Sequence, residues 1–297
     1  MTIRRKAVLA AIAAGAGLVL GAAAASSQSA PPVLTAEQIK QIVASPGRSA
    51  ADRTNDLRRK PEQMLVFIDI RPGINALDLS AGGGYTTELL ARAIGPSGNV
   101  YGQSRPRDPS RAPTPPPAPE GNSHPTAQSA ATPGAAPTPP APASAPRPSP
   151  DALAARDAAL RSADIKAAPI TAVVRPFEDP VPPEVAAFDL VTLMFNYHDL
   201  GHLGVDRAAM NRAVFQALKK GGVYVIADHS GRPGTGISES GTLHRGEEVF
   251  VRKEVEAAGF RLAAEGDFLR NPNDPRDKNT PDPPQPKDEF VLKFVKP

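Results

Sequence analysis

Residues 78–85 read Asp-Leu-Ser-Ala-Gly-Gly-Gly-Tyr, and they lie between an apolar segment, 74–79, and a segment with apolar residues at helical spacing, 85–94. The first segment is typical of a buried strand, and the second, which stops at Gly95-Pro96, is typical of a helix. Glycines in such a loop let a ligand approach the backbone beside the free N–H groups of the helix start. The stretch predicts the first strand–loop–helix unit of an open α/β sheet, with a ligand site at the loop.

Two well-known classes of nucleotide-binding loop fit the glycines less well. A P-loop has Lys-Ser or Lys-Thr after its glycines, and this loop has neither. A dinucleotide-binding loop begins with glycine directly after the strand, whereas here Asp78 ends the strand and only Gly82 and Gly84 have the expected spacing. A tight turn that binds nothing is the remaining alternative.

The alternation of strand and helix continues along the chain. A capping box at 35–38 predicts a first helix. Further strands are predicted at 99–102, 170–175, 188–194, 222–227, 261–267 and 290–295, and further helices at 151–162, 206–218 and 247–258. Strands separated by helices predict a doubly wound, mostly parallel sheet of seven strands. The last two strands have no helix between them, so we expect an antiparallel C-terminal edge.

The charges of the chain point away from nucleic acid. The 297 residues carry a formal charge of +3, but Arg4, Arg5 and Lys6 supply all of it. They precede an apolar run, 7–25, and together these features predict a cleavable signal peptide at 1–25, with a retained anchor as the alternative. The mature chain is then neutral, and we expect it to be periplasmic or secreted without stable membrane association. Arg4-Arg5 is a minimal hint of twin-arginine export.

Proline and cysteine usage defines the domain organisation. Of the 35 prolines, 16 fall in residues 105–150, so 104–150 is predicted to be a disordered insert. The insert divides one domain into two parts. The N-terminal part, 26–103, begins with a helical entry segment, and the C-terminal part, 151–297, contains a proline-rich loop at 271–287. The absence of cysteine excludes disulfides, a thiolate nucleophile and sulfur-ligated zinc.

The motifs resemble a known family. Residues 78–102, 188–193 and 218–229 are similar to the motifs of class I S-adenosylmethionine-dependent methyltransferases. The resemblance covers 48–103 and 151–297, and it is closest to a group of predicted, exported bacterial methyltransferases. That group has an Arg/Asp-rich entry segment, an Asn-Tyr-His-Asp element and a late His-Arg, here Arg48, Asp52, Asp56, Arg59, Asn196–Asp199 and His244-Arg245. The resemblance implies a Rossmann-like methyltransferase fold.

The resemblance also implies a site for S-adenosylmethionine. Gly82, Gly83 and Gly84 would let the methionine part lie against the backbone, and Asp78 would orient the loop or the cofactor amino group. Gln103 stands where the family has an acidic residue that binds the ribose hydroxyls. Phe177, Glu178 or Asp179 would flank the adenine, although Pro176 holds the usual Asp position and Ser80 replaces the first family glycine.

The residues after the fourth strand are the candidates for catalysis. His198 is the candidate base, Asn196 and Tyr197 would orient or bound the acceptor, and Asp199 would hold the imidazole tautomer. Turn formation at a strand end is the alternative interpretation of this element. Further residues complete the candidate set: His229 as a pocket residue, and His244-Arg245 as a cover for an acidic acceptor or the cofactor carboxylate. Asp52 and Asp56, one helical turn apart, would either close over the cofactor or form a solvated helix face paired with Arg48 and Arg59.

The predicted function is methyl transfer to an unidentified acceptor, expected to be a small molecule. The alternative is an exported, non-catalytic binding protein that retains the methyltransferase fold. No metal site is predicted. His198 and His202 have the spacing of helical zinc ligands, but Gly201 weakens a helix there and Asp199 replaces the usual glutamate. The sequence makes no prediction about the oligomeric state.

Overall fold

Seven strands form one sheet in the computed structural model, which describes residues 31–107, 149–185, 187–279 and 285–297. The strands are β1 (Asn75–Leu79), β2 (Asn99–Ser104), β3 (Ile170–Val174), β4 (Phe188–Met194), β5 (Leu218–His229), β6 (Arg261–Gly266) and β7 (Glu289–Val295). Their order is β3-β2-β1-β4-β5-β7-β6. The predicted signal peptide, 1–25, and most of the predicted insert, 104–150, lie outside the described residues, as does 280–284 of the proline-rich loop.

The strand directions confirm the predicted fold. Strands β1 to β5 pair in parallel, whereas β7 is antiparallel to both of its neighbours, β5 and β6. The chain places β7 between β5 and β6, which the sequence pattern did not indicate. Because β1 lies between β2 and β4 in the sheet, the loops after these strands open into a common crevice.

Eight helices accompany the sheet in the described residues. They are α1 (Ala36–Ala44), α2 (Ala50–Arg59), α3 (Pro61–Ile68), α4 (Tyr85–Ile94), α5 (Ser149–Ser162), α6 (Asp199–His202), α7 (Arg207–Ala217) and α8 (Glu248–Ala257). Thr35 and Gln38 form the predicted capping box. The bounds of α2 and α3 were not predicted, although a helical entry segment was, and the short helix α6 was not predicted from the sequence. Among the described residues, no helix has the length and apolar character needed to cross a membrane.

Apolar layers cover both faces of the sheet. Helices α1, α3, α4 and α5 pack with Ala76 of β1 in one layer, and α7 and α8 pack with Leu77 and Leu79 in the other. This alternation follows from the period of two in a strand. Asp78 therefore points into the same layer as Ala76, under α4.

Candidate active site

The glycine loop has two parts that serve different purposes. A Cβ added to Gly83 would meet nothing within 4 Å, and one added to Gly82 would meet only the Ser80 carbonyl oxygen, at 3.8 Å. In the described parts of the chain, neither of these two N–H groups donates a hydrogen bond. At Gly84 a Cβ would lie 2.7 Å from Leu153 and 2.8 Å from Arg156 of α5. Gly82 and Gly83 thus leave space for a ligand, whereas Gly84 lets α5 pack closely.

Asp78 acts as a buried brace beneath this loop. Its carboxylate accepts hydrogen bonds from the Thr87 hydroxyl of α4, at 2.6 Å, and from the Thr192 hydroxyl of β4, at 2.8 Å. Burial raises the pKa of Asp78 to about 6, against these two hydrogen bonds, which lower it. Asp78 therefore joins the loop strand to its neighbours, in keeping with the predicted role of orienting the loop.

We expect Asp78→Asn to change how stability depends on pH. The folded chain titrates this group at about 6, above its ordinary value of 3.8, so between these values the folded state binds more protons. The contribution of Asp78 to wild-type stability should then fall as pH rises through this window, by about 3 kcal/mol in all. Urea unfolding measured from pH 4 to pH 7 should show that Asp78→Asn lacks this fall. Asp164→Asn, at an exposed aspartate, is the control, and equal slopes in all three proteins would contradict the assignment.

Gln103 and the residues after β3 are tied into the protein. The Gln103 amide is buried, accepts a hydrogen bond from the Ser80 N–H (3.0 Å) and donates one to the Arg175 carbonyl (2.7 Å). Phe177 packs in the layer that contains α7 and α8. Glu178 accepts a hydrogen bond from the Asp206 N–H at the start of α7. The implied contacts of Gln103, Phe177 and Glu178 with ribose and adenine stay predictions. The two hydrogen bonds of the buried Gln103 amide leave it one acceptor position and one N–H for a ribose contact.

All four described histidines gather where β4 and β5 end. The ring of His198 lies 5.3 Å from that of His229 and 5.7 Å from that of His244, and His202 lies 5.6 Å from His244. Asp228, the last-but-one residue of β5, accepts a hydrogen bond from the His198 N–H and contacts His198 Nδ1, both at 2.6 Å. Asp228 was not among the residues predicted from the sequence, although parallel neighbouring strands bring their carboxyl ends together.

The surroundings of His198 do not suit the predicted base. The ring is 0% exposed, with Asp228 on one side and Asp199 on the other. Burial by itself lowers the pKa of His198, but these two carboxylates outweigh it and raise the pKa to about 10. The raised pKa favours the protonated ring, whereas a general base has to be neutral and within reach of the proton it removes.

The other members of the Asn-Tyr-His-Asp element point in different directions. Asn196 accepts a hydrogen bond from the Ser80 hydroxyl (2.6 Å) and donates one to Asp199 (2.7 Å), so it joins the glycine loop to the histidines. Tyr197 is a correction to the prediction from the sequence. Its buried hydroxyl lies between Glu254 of α8 and Asn211 of α7, each at 2.9 Å, so it cannot bound an acceptor in the crevice.

His244-Arg245 also divides into two roles. His244 Nδ1 lies 2.9 Å from Asp199 and so belongs to the histidine cluster. Arg245 is fully buried, and its guanidinium pairs with Asp274 and donates to the carbonyls of Ser230 and Lys278. The prediction that Arg245 contacts a ligand is therefore wrong, because every nitrogen of its guanidinium is hydrogen-bonded within the protein.

The entry segment packs over the glycine loop through ion pairs. Arg48 makes a bidentate ion pair with Asp56, which also accepts a hydrogen bond from the Tyr85 hydroxyl. Asp52 is buried and makes a similar pair with Arg156 of α5. The predicted pairing with Arg48 is therefore confirmed for Asp56, whereas the burial of Asp52 contradicts a solvated helix face at that residue.

An apolar pocket lies beside the N-terminus of α4. Its lining includes Arg59, Met64, Leu65, Tyr85, Met194 and Phe195. The Arg59 guanidinium stands 4.5 Å from the centre of the Phe195 ring and 5.3 Å from that of Tyr85. Phe195 in turn lies 5.9 Å from the His229 ring, so it separates the pocket from the histidine cluster.

Comparisons with known proteins give similarity of fold. No family model matches the sequence, and no curated protein matches it. An S-adenosylmethionine-dependent methyltransferase from Aquifex aeolicus is 14% identical, with a TM-score of 0.49, over 89% of this chain and 100% of its own. A Haloferax volcanii protein described as a methyltransferase, solved with its Trm112 activator, is 15% identical, with a TM-score of 0.49, over 84% and 93% of the two chains. Aeropyrum pernix fibrillarin, solved with natively bound S-adenosylmethionine, is 16% identical, with a TM-score of 0.39, over 76% and 68%. These likenesses concern the arrangement of strands and helices, and the activities and ligands named are those of the other proteins.

Proposed function

We propose that the protein is an S-adenosylmethionine-dependent methyltransferase that acts on a small-molecule acceptor. The observation that carries this proposal is the open side of the glycine loop. Gly82 and Gly83 leave room above the backbone, and their N–H groups donate no hydrogen bond in the described parts of the chain. Such a loop, after the first strand of a doubly wound sheet and at the start of a helix, suits the carboxylate end of a ligand.

The cofactor would supply a methyl group already activated by its sulfonium. The protein would then have to bind and align two molecules, because positioning contributes most when the acceptor is itself nucleophilic. Gly82 and Gly83 would hold the methionine end. Asn196 would keep the loop in place through Ser80, with which it shares a hydrogen bond of 2.6 Å.

The pocket lined by Tyr85 and Phe195 is the proposed acceptor site. It adjoins the first turn of α4, where the glycine loop ends. Its aromatic and aliphatic lining suits an apolar acceptor of limited size, and Arg59 would accompany an electron-rich or anionic group. We place no proton transfer on His198, since the ring is completely buried and its Nδ1 is engaged by Asp228.

A glycine pair in the loop provides the test. We expect S-adenosylmethionine and its demethylated product to bind the wild-type chain in calorimetric titrations. Gly83→Ala should weaken both by about tenfold or more, roughly 1.4 kcal/mol, because its methyl group enters the ligand space. Stability should not change, since nothing lies within 4 Å of that methyl group. Gly84→Ala is the contrasting variant, because a clash with α5 should lower its thermal midpoint.

Two outcomes would count against the proposal. If neither ligand gives heat with the wild-type chain, the cofactor assignment is wrong. If Gly83→Ala binds as tightly as wild type, the ligand lies elsewhere than at this loop.

The non-catalytic binding protein is the second candidate. The observation in its favour is Gln103, whose amide is engaged at both ends where the family has an acidic residue for the ribose. A bound cofactor without transfer of a labelled methyl group to any small molecule of a tested panel would favour this candidate. Mass spectrometry of a ligand that co-purifies with the chain would identify what the site holds.

Export is a separate proposal, which rests on Arg4, Arg5, Lys6 and the apolar run 7–25. Cell fractionation followed by N-terminal sequencing tests it. We expect a chain that begins near residue 26 outside the cytoplasm, and a full-length chain in the cytosol would contradict export.

A further inference from the structure

Three imidazole rings converge on one carboxylate oxygen at the end of β4. Asp199 Oδ1 lies 2.9 Å from His244 Nδ1, 3.2 Å from His198 Nε2 and 3.7 Å from His202 Nδ1. His202 also contacts the Ser240 hydroxyl, at 3.0 Å from the same nitrogen. The other two rings and Asp199 each present one ligand atom, and these three atoms all lie within 4.8 Å of one another.

We propose that His198, Asp199 and His244 bind a divalent transition-metal ion of the Zn²⁺ type, at a site that does not depend on the proposed methyl transfer. Two imidazoles and one carboxylate are a common ligand set for such ions. Ligand atoms about 2.1 Å from a tetrahedral ion stand about 3.4 Å apart. The distances from Asp199 Oδ1 to His244 and His198 are already close to this value.

His198 supplies the first independent sign of a ligand. Its Nε2 is buried and, although 3.2 Å from Asp199, makes no hydrogen bond with any residue that the structure describes. The opposite nitrogen, Nδ1, lies 2.6 Å from a carboxylate oxygen of Asp228. A carboxylate behind a metal-bound histidine places the proton on Nδ1 and turns the lone pair of Nε2 towards the ion. The ring is thus oriented as a ligand, and an ion that binds Nε2 would displace the proton that the two carboxylates otherwise favour on this ring.

The other two ligands are held in a similar way. Asn196 donates a hydrogen bond of 2.7 Å to the second carboxylate oxygen of Asp199, which leaves Oδ1 directed at the histidines. His244 has a φ of +51°, a conformation that costs energy in a residue with a side chain and tends to occur at functional sites. The next residue, Arg245, anchors the loop through Asp274 and so keeps His244 in this position.

Exposure and charge define which ions fit. The side chain of Asp199 is 22% exposed and that of His244 is 39% exposed, so an ion can enter from solvent and keep a position for water. The carboxylates of Asp199 and Asp228 both face His198, which gives the site an excess of negative charge when the rings are neutral. Calcium and magnesium prefer sites made of oxygen atoms, whereas imidazole favours zinc and its neighbours in the periodic table.

Metal binding by the chelator-treated, untagged chain tests the proposal. We expect one equivalent of Zn²⁺ to bind in competition with a chromophoric chelator, and Co²⁺ to give visible absorption bands. Asp199→Asn and His244→Asn should each weaken Zn²⁺ binding by about 100-fold or more, the upper end of the loss seen when only an outer partner of a metal ligand is removed. Both positions are partly exposed, so the variants should keep the wild-type circular dichroism spectrum without metal.

Two control variants separate the proposed ligand set from a general attraction of histidines for metal. His202→Asn removes the histidine that Ser240 holds aside, and it should change Zn²⁺ affinity by less than about fivefold. Asp164→Asn removes a remote, exposed carboxylate and should have no effect.

Three results would overturn the assignment. The first is the absence of stoichiometric Zn²⁺ and Co²⁺ binding, which would leave His198 as a protonated ring clamped by two aspartates. The second is wild-type affinity in Asp199→Asn or His244→Asn. The third is an equal loss of affinity in His202→Asn and His244→Asn.

Discussion

Arg245→Ala is expected to lower the free energy of unfolding by about 3–5 kcal/mol, the range for removing one partner of a buried ion pair. Arg245 and Asp274 are both buried, and they face each other with two hydrogen bonds, of 2.8 and 3.2 Å. The substitution leaves the Asp274 carboxylate buried without its counter-charge. It also removes the donors to the carbonyls of Ser230 and Lys278. Urea unfolding followed by circular dichroism measures the change.

Two further variants isolate the cause of this loss. Arg252→Ala removes an arginine that is 43% exposed and paired with Glu256, and it should cost no more than about 1 kcal/mol. The double variant Arg245→Met with Asp274→Leu removes both charges, so it should be more stable than Arg245→Ala alone. A loss below about 1 kcal/mol in Arg245→Ala, or a double variant that is less stable than the single one, would contradict a buried pair.

Arg245 was predicted to bind a ligand because its partner could not be recognised in the sequence. Asp274 lies 29 residues further on, in a segment whose prolines predicted a loose loop. The segment is instead held by Asp274, which also accepts a hydrogen bond from the Asp288 N–H at 2.7 Å. Amino-acid composition indicates how little apolar surface a segment can bury. It does not reveal a single charged pair that holds the segment in place.

Most of the sheet could be predicted because its signals are local. Apolar segments, the glycine loop and the Thr35 cap each lie within a few residues of the chain. The position of β7 between β5 and β6 depends on pairing between distant segments, and the bounds of α2 could not be predicted for a related reason. That helix is rich in charge, begins at the Ser49 cap, and gains its buried contacts from Arg156, about 100 residues away.

In the candidate site, too, some residues could be identified from local signals and others only from contacts between distant segments. The strand-end rule directed attention to His198 and Asp199, which follow β4, and to His229 at the end of β5. Asp228, the residue before His229, could have been added on the same ground, since β4 and β5 are parallel neighbours. Tyr197 could not be placed, because neighbouring residues after a strand point to different sides and only packing against α7 and α8 settles the direction.

We expect Arg156 to contribute more than any other residue to holding the glycine loop against the helices around it. Its guanidinium makes two hydrogen bonds to Asp52 of α2, at 2.7 and 2.9 Å, pairs with Glu88 of α4, and donates from Nε to the Gly83 carbonyl. It thereby joins two helices from distant parts of the chain to the loop itself. We expect Arg156→Met to lower the free energy of unfolding by about 3 kcal/mol at neutral pH, because Asp52 and Glu88 remain buried without this partner.

The pH dependence of this loss identifies its origin. Burial by itself raises the pKa of Asp52, but the Arg156 guanidinium holds it below its usual value. Such a lowered pKa contributes stability above the unfolded pKa of about 4, and the contribution disappears as pH falls through the folded pKa. The difference between wild type and Arg156→Met should therefore be largest near neutral pH and shrink below about pH 4.

Arg161→Met is the matched control for this experiment, since it makes the same change on the same helix. Arg161 is 68% exposed, and its buried partner Asp157 keeps a hydrogen bond from the Ile170 N–H when Arg161 is removed, so this loss should cost no more than about 1 kcal/mol at any pH. Urea unfolding of the three chains between pH 3 and pH 7 makes the comparison. If Arg156→Met and Arg161→Met lose equal stability, or if the loss in Arg156→Met grows on acidification, the pair with Asp52 does not hold α2 over the loop. A loss of stability seen only near neutral pH and only in Arg156→Met would show that the Asp52–Arg156 pair holds α2 against the glycine loop. The buried position of Asp52 requires such a contact.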